Sequence, residues 1–168
     1  MTSNHKAGHT VIELVAVVGI VAIFLAIAIA PKFSPQSERA QVAAFDLETS
    51  LRYAQKLAFS RERNVRVTFS VVSNAYWVDL SDTNAPGGYK SARNPVTQQD
   101  WNTVFSDMYA GVRLSSVSLA GGVLVFNRTN GVPCANSGTP IAATATVVFV
   151  SGPTIMITPD TGYVSKNP

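Results

Sequence analysis

Gly8-His9-Thr10-Val11-Ile12-Glu13-Leu14, continued by Val15 to Ala30 without a charge, is the stretch on which the reading of the chain turns. His9 to Ala30 is 22 residues, and Glu13 is its one acidic or strongly basic side chain. A bilayer core of about 30 Å takes roughly 20 helical residues. The stretch therefore has the length of a transmembrane helix, and Pro31 closes it. A helix apolar on every face needs lipid or complete burial around it.

Glu13 is the exception within that run. A carboxylate at membrane depth costs about 2.5–3.5 kcal/mol on insertion scales. It marks a functional site where a cation can be named as its partner. Near the membrane interface it is simply hydrated.

Met1 to Gly8 is short and polar, without an apolar core, and reads as a cytoplasmic leader. Lys6 gives weak support for keeping that end inside, because Lys32 and Arg39 lie beyond the span. The competing reading is an ordinary secretory signal, for which Ala28-Ile29-Ala30 offers an A-x-A-like site. Against it, Pro31 would follow the cut, the apolar run exceeds the usual ~7–15 residues, and Glu13 sits at its start.

Past the span, Pro31 and Pro35 bracket Lys32-Phe33-Ser34, which predicts a kink or break. Ser34 or Ser37 would cap a renewed helix. Residues 38–63 read as amphipathic helix, with Ala40, Ala44, Leu47, Leu51, Ala54 and Ala58 recurring at spacings of three and four. Phe45 and Phe59 flank that stripe, and Asn64 is the expected stop. The two helical pieces would make a rod of about 80 Å. Its first half would anchor, and its second half would lay the stripe on a sheet.

From residue 64 the period becomes two. Val65, Val67, Phe69 and Val71 alternate with Arg66, Thr68 and Ser70, a half-buried strand. A turn at Ser73-Asn74 leads to a second strand at 76–80, and further strands are expected at 112–119, 123–127, 146–150, 154–158 and 163–166. Gly121-Gly122, Gly152-Pro153 and Pro159-Asp160-Thr161-Gly162 mark turns, and short sequential strands imply an antiparallel sheet. Residues 81–103 and 130–140 read as long loops, which in a compact domain are usually functional or disordered. Trp77, Tyr89, Trp101 and Tyr109 near the first loop either anchor a partner or pack the loop. The expected fold is α+β: a long N-terminal α-helix, membrane-spanning in its first half, packed on antiparallel β-sheet. Its boundaries are 1–8 leader, 9–30 apolar helix, 31–63 amphipathic helix and 64–168 β domain.

The residues Gly8-His9-Thr10-Val11-Ile12-Glu13-Leu14 resemble the processing site of type IV prepilins and type II secretion pseudopilins. The resemblance implies cleavage after Gly8 by a prepilin peptidase and N-methylation of His9. His9 departs from the family, whose first mature residue is usually Phe. The resemblance also implies that Glu13, fifth in the mature chain, guides assembly by pairing with the cationic N-terminus of a neighbouring subunit. Methylation leaves that amine cationic. Pairing with its own amine, four residues away on the same helix, is the alternative.

The body is similar, more narrowly, to the H-type (GspH/FimT-like) pseudopilins and minor pilins. The similarity lies in residues 43–58, in 65–69, in 122–127 with Gly131, and in Ile155-Met156-Ile157-Thr158 with Thr161-Gly162-Tyr163-Val164. It implies a pilin-like fold and a minor subunit that assembles through its N-terminal helix into a type IV pilus or type II secretion pseudopilus, at initiation or tip. The partners implied are the prepilin peptidase, other pilin or pseudopilin subunits, and the bacterial inner membrane before assembly. In that membrane the N-terminus would be cytoplasmic and the C-terminal domain periplasmic. Many major pilins close a C-terminal disulfide, whereas Cys134 stands alone here and can form no internal one.

The net charge is +3, from 13 Lys and Arg against 10 Asp and Glu, and +2 once Lys6 is removed with the leader. That is mildly basic and identifies no nucleic-acid partner. The alternative function is DNA binding, as in a pilin used for DNA uptake, with Arg52, Lys56, Arg61 and Arg63 as contacts to phosphate. Interspersed acids, and Glu48 four residues before Arg52, favour an ordinary solvated face. An enzyme is not expected. His5 and His9 are the only histidines, so the body has no histidine for a nucleophile system or a metal site. No phosphate-binding or dinucleotide fingerprint appears, and no cofactor is expected.

Overall fold

The structure is a computed structural model that describes residues 11–29 and 35–167. Two compact units divide between Phe33 and Ser34. In the first, α1 (Val11–Ile29) carries Glu13 in its opening turn. The anticipated span of 9–30 runs past α1 at both ends. Among the described residues, no helix is long and apolar enough to cross a membrane. Gly8, His9 and the junction at Pro31 to Ser34, with its expected kink and the Ser34 cap, lie outside the described residues, whereas Ser37, the other expected cap, lies inside a helix that begins at Pro35.

The second unit opens with α2 (Pro35–Arg61). Proline suits a first helical turn, where its missing N–H would have no helical partner. The anticipated stripe is the buried face, joined by Ala43. Phe45 and Phe59 stand outside it, 58% and 64% exposed. Alanines dominate the buried face, so the helix backbone comes close to what it covers. A Cβ built on Gly152 would stand 2.6 Å from the Cβ of Ala40.

The helix stops before Asn64. The Arg63 N–H donates to the Ala58 carbonyl at 3.2 Å, and the Glu62 N–H to the Phe59 carbonyl at 3.3 Å. This paired closure needs a left-handed residue between, and Glu62 takes it with φ 51°. Glycine fits that conformation better. Glu62→Gly is therefore expected to stabilise the fold by about 0.5–1 kcal/mol in urea titration. A loss of stability would show that the Glu62 side chain contributes more than its backbone strain costs. Asn64 instead ties two connections together: its Oδ1 accepts the Arg128 N–H at 2.9 Å, and its carbonyl accepts the Ser81 N–H at 2.8 Å.

The remaining elements, in order, are β1 (Val65–Ser70), β2 (Ala75–Ser81), β3 (Tyr89–Ser91), β4 (Asn102–Val104), α3 (Phe105–Met108), β5 (Leu114–Val117), β6 (Val123–Phe126), β7 (Pro133–Cys134), β8 (Ala145–Phe149), β9 (Thr154–Ile157) and β10 (Val164–Asn167). They form two antiparallel sheets rather than one. The first has the order β3-β2-β1-β6-β7, with β4 also on β2, and the second has the order β10-β9-β8-β5. β1 is central, with Val67 opposite Val78 and Phe69 opposite Tyr76. Its buried positions alternate as expected, except that Val71 has left the strand for the turn and is exposed. Gly122 lies so close to β1 that a Cβ there would meet the Phe69 carbonyl oxygen at 2.3 Å, and its φ is +70°.

The two segments expected to be loops are partly sheet. Residues 81–103 include β3 and the start of β4, and bury Ala92 and Trp101, while 130–140 include β7. These strands are two or three residues long and add to a sheet edge, so they carry no alternation of their own.

One core joins the sheets and α2. The helix touches β1 and β6 of the first sheet and β9 and β10 of the second. Phe105 on α3 sits between the sheets. Its ring is 5.6 Å from that of Tyr76 on β2, and 5.2 Å from that of Phe149 on β8, edge-on at 89°. Asn74, in the β1–β2 turn and 8% exposed, makes the polar counterpart. Its Nδ2 donates to the Val112 carbonyl and its Oδ1 accepts the Leu114 N–H, both at 2.8 Å.

Candidate functional site

Two surfaces bear on function, and the first is α1. Every side chain described on it, over residues 11–24, is exposed. Apolar surface of this kind, exposed at the described side chains other than Glu13, is what a partner or a lipid phase removes from water. Glu13 lies in the first turn, where the positive end of the helix dipole favours a carboxylate.

The second surface is the outside of α2. Glu38, Val42, Phe45, Thr49 and Lys56 follow at spacings of three, four and seven, and all are exposed. The four candidate phosphate contacts do not gather on it. Arg52 and Lys56 share a face, but Arg61 is nine residues from Arg52, about half a turn away around the helix. Arg63 follows the helix stop and is 4.0 Å from Asp82.

Arg52 is turned to structural work. It donates to Glu48 at 2.7 Å and to the Val164 carbonyl at 2.9 Å, with its guanidinium 5.5 Å from the centre of the Tyr163 ring. Gln55 one turn on donates Nε2 to the Gly131 carbonyl at 3.0 Å and to the Thr161 carbonyl at 2.8 Å. It thereby binds a connection of each sheet to the helix. At the other end, Gln36 donates to the Gly111 carbonyl at 2.8 Å and Arg39 to the Ala110 carbonyl at 3.2 Å.

Asp79 on β2 is likewise held by a structural partner. Arg66 donates twice to Asp79 Oδ2, at 2.8 and 3.2 Å, while its guanidinium lies 4.0 Å from the centre of the Tyr89 ring. Among the described residues, no group of three or more His, Cys, Asp or Glu could hold a metal ion. Cys134 is buried, and burial pushes its thiol above the ordinary range.

A groove of about 490 Å³ runs between α2 and the connection from β3 to β4. Asp46, Tyr53, Asp100, Trp101 and Tyr109 are among its lining residues. The Tyr109 hydroxyl donates to Asp46. Burial first, and that carboxylate second, push the phenol well above its ordinary range. Trp101 packs against Tyr53 with ring centres 5.6 Å apart. Asp46 and Tyr109 are 63 residues apart, and no local pattern in the sequence links them.

No family model matches the sequence, and no curated protein matches it. Solved structures do. The crystal structure of the minor pseudopilin EPSH from the type II secretion system of Vibrio cholerae superposes with a TM-score of 0.58 at 13% identity, over 78% of this chain and 94% of that one. A second structure of that pseudopilin gives 0.55 at 14% identity, over 76% and 95%. The type IV minor pilin FimU of Pseudomonas aeruginosa gives 0.48 at 17%, over 76% and 91%. At such identities the likeness is one of fold: this chain, with a helix packed on antiparallel sheets, has the fold of a minor pseudopilin.

Proposed function

We propose that the chain is a minor pilin or pseudopilin subunit that assembles through its N-terminal helix into a type IV pilus or type II secretion pseudopilus. The observation that carries this is α1. It is an apolar helix with all its described side chains exposed and one acid in its first turn, on a chain whose body has a pseudopilin fold. In this reading a prepilin peptidase cuts after Gly8 and His9 becomes the methylated N-terminus. Until assembly the apolar helix holds the subunit in the inner membrane, with its body in the periplasm. Assembly then moves that helix from lipid into contact with the helices of other subunits. Glu13 pairs there with a neighbour's terminal amine, a contact worth far more in an apolar setting than in water.

The test is Glu13→Gln in the native host. Leader cleavage, read by intact mass as a start at His9, and the folded body should be unchanged. Incorporation into sheared filaments should fall at least about tenfold, equivalent to ~1.4 kcal/mol. Normal co-assembly of the variant would remove Glu13 from the mechanism. A start at Pro31 would make the body a secreted protein and overturn the filament reading.

A further inference from the structure

The groove between α2 and the β3–β4 connection has a composition that a simple packing defect would not need. Its walls carry two carboxylates, Asp46 and Asp100, and no Lys, Arg or His lines it. Asp100 is shared with Arg93 at 3.8 Å across an exposed pair, so Asp46 supplies the less screened charge at the mouth. The Tyr109 hydroxyl fixes the Asp46 carboxylate in place. Beside it, the exposed ring of Tyr53, packed against Trp101, offers aromatic surface. Trp101 is 1% exposed, and its Nε1–H meets no acceptor among the described residues. That N–H is closed off from solvent, so Trp101 reports on the groove through its packing against Tyr53 and does not itself touch what fills it.

We propose that this groove is a docking site for a basic side chain, arginine above lysine, presented on an extended segment of a partner protein. Each part of the site matches one feature of that occupant. The carboxylates pair with the cation. The exposed Tyr53 ring attracts it through its negative face and, for a planar guanidinium, by stacking. A volume of about 490 Å³ accommodates a long side chain with its flanking backbone. The site belongs wholly to the second unit and stands or falls independently of how α1 is used.

The chain has two tryptophans, Trp77 and Trp101, so the indole N–H region of a ¹⁵N spectrum holds two reporters, assigned by Trp101→Phe. The full chain in detergent micelles is titrated with the peptide Ac-Gly-Gly-Arg-Gly-Gly-NH₂ and with versions carrying lysine, norleucine or glutamate in place of arginine. The Trp101 signal is expected to move saturably with arginine, less with lysine, and not with the other two, while Trp77 stays still. Asp46→Asn keeps an acceptor for Tyr109 but removes the charge. It should weaken arginine binding at least about fivefold, with Trp77 unshifted as the sign of an intact fold. No movement with arginine, or equal movement with norleucine or glutamate, overturns the proposal.

Discussion

Phe105→Ala is expected to destabilise the second unit by about 3–5 kcal/mol. Against a typical total of about 5–15 kcal/mol this brings the fold close to its limit. The reason is position as well as size. Phe105 is 1% exposed and is the ring through which Tyr76 of the first sheet and Phe149 of the second meet. Truncation leaves a cavity at a junction of two rigid sheets, which cannot collapse as a loop could, so the cost falls at the upper end of the range for lost volume. Phe105→Leu keeps most of the volume but loses the edge-on contact, and should cost about 1–2 kcal/mol. Urea titration at unchanged slope measures both. A cost below about 1 kcal/mol for the alanine variant would mean that the sheets close up without this ring.

Asn74→Ala is the second large effect, of about 3–7 kcal/mol. Two terms add. The Val112 carbonyl and the Leu114 N–H lose their partners while remaining buried, at about 1–3 kcal/mol each. Alanine must also hold φ 51°, which costs it about 1 kcal/mol more than asparagine or glycine. Asn74→Gly separates the terms, because it keeps the conformation and loses only the hydrogen bonds. It should recover about 1 kcal/mol of the loss. If the two variants were equally unstable, the turn geometry would carry no energy of its own.

These two residues also mark where the sequence stops being readable. The α2 stripe was legible because seven turns of helix repeat one period, and β1 because its valines and Phe69 alternate. Both are local patterns. The division into two sheets is not local: it depends on Phe105 and Asn74 reaching partners tens of residues away. The same holds for the groove, where Asp46 is a polar residue beside the stripe until folding places Tyr109 against it. The stop at Glu62 was missed for another reason. A left-handed residue is usually signalled by glycine or asparagine, and here Asn64 carried the signal while a glutamate took the conformation. The basic residues Arg52, Lys56 and Arg61 of α2 are dispersed around the helix, in keeping with the solvated face that the interspersed acids favoured in the sequence.

The hydrogen bonds from α2 to the surrounding connections have a mechanical meaning. Gln36, Arg39, Arg52 and Gln55 donate from points spread over about 28 Å of helix to carbonyls at Gly111, Ala110, Val164, Gly131 and Thr161. A tensile load along the helix axis reaches these bonds together, in shear, and shares itself between both sheets. Peeling the helix from one end would instead break them one after another. The body is thus built to resist traction along α2 far better than traction across it.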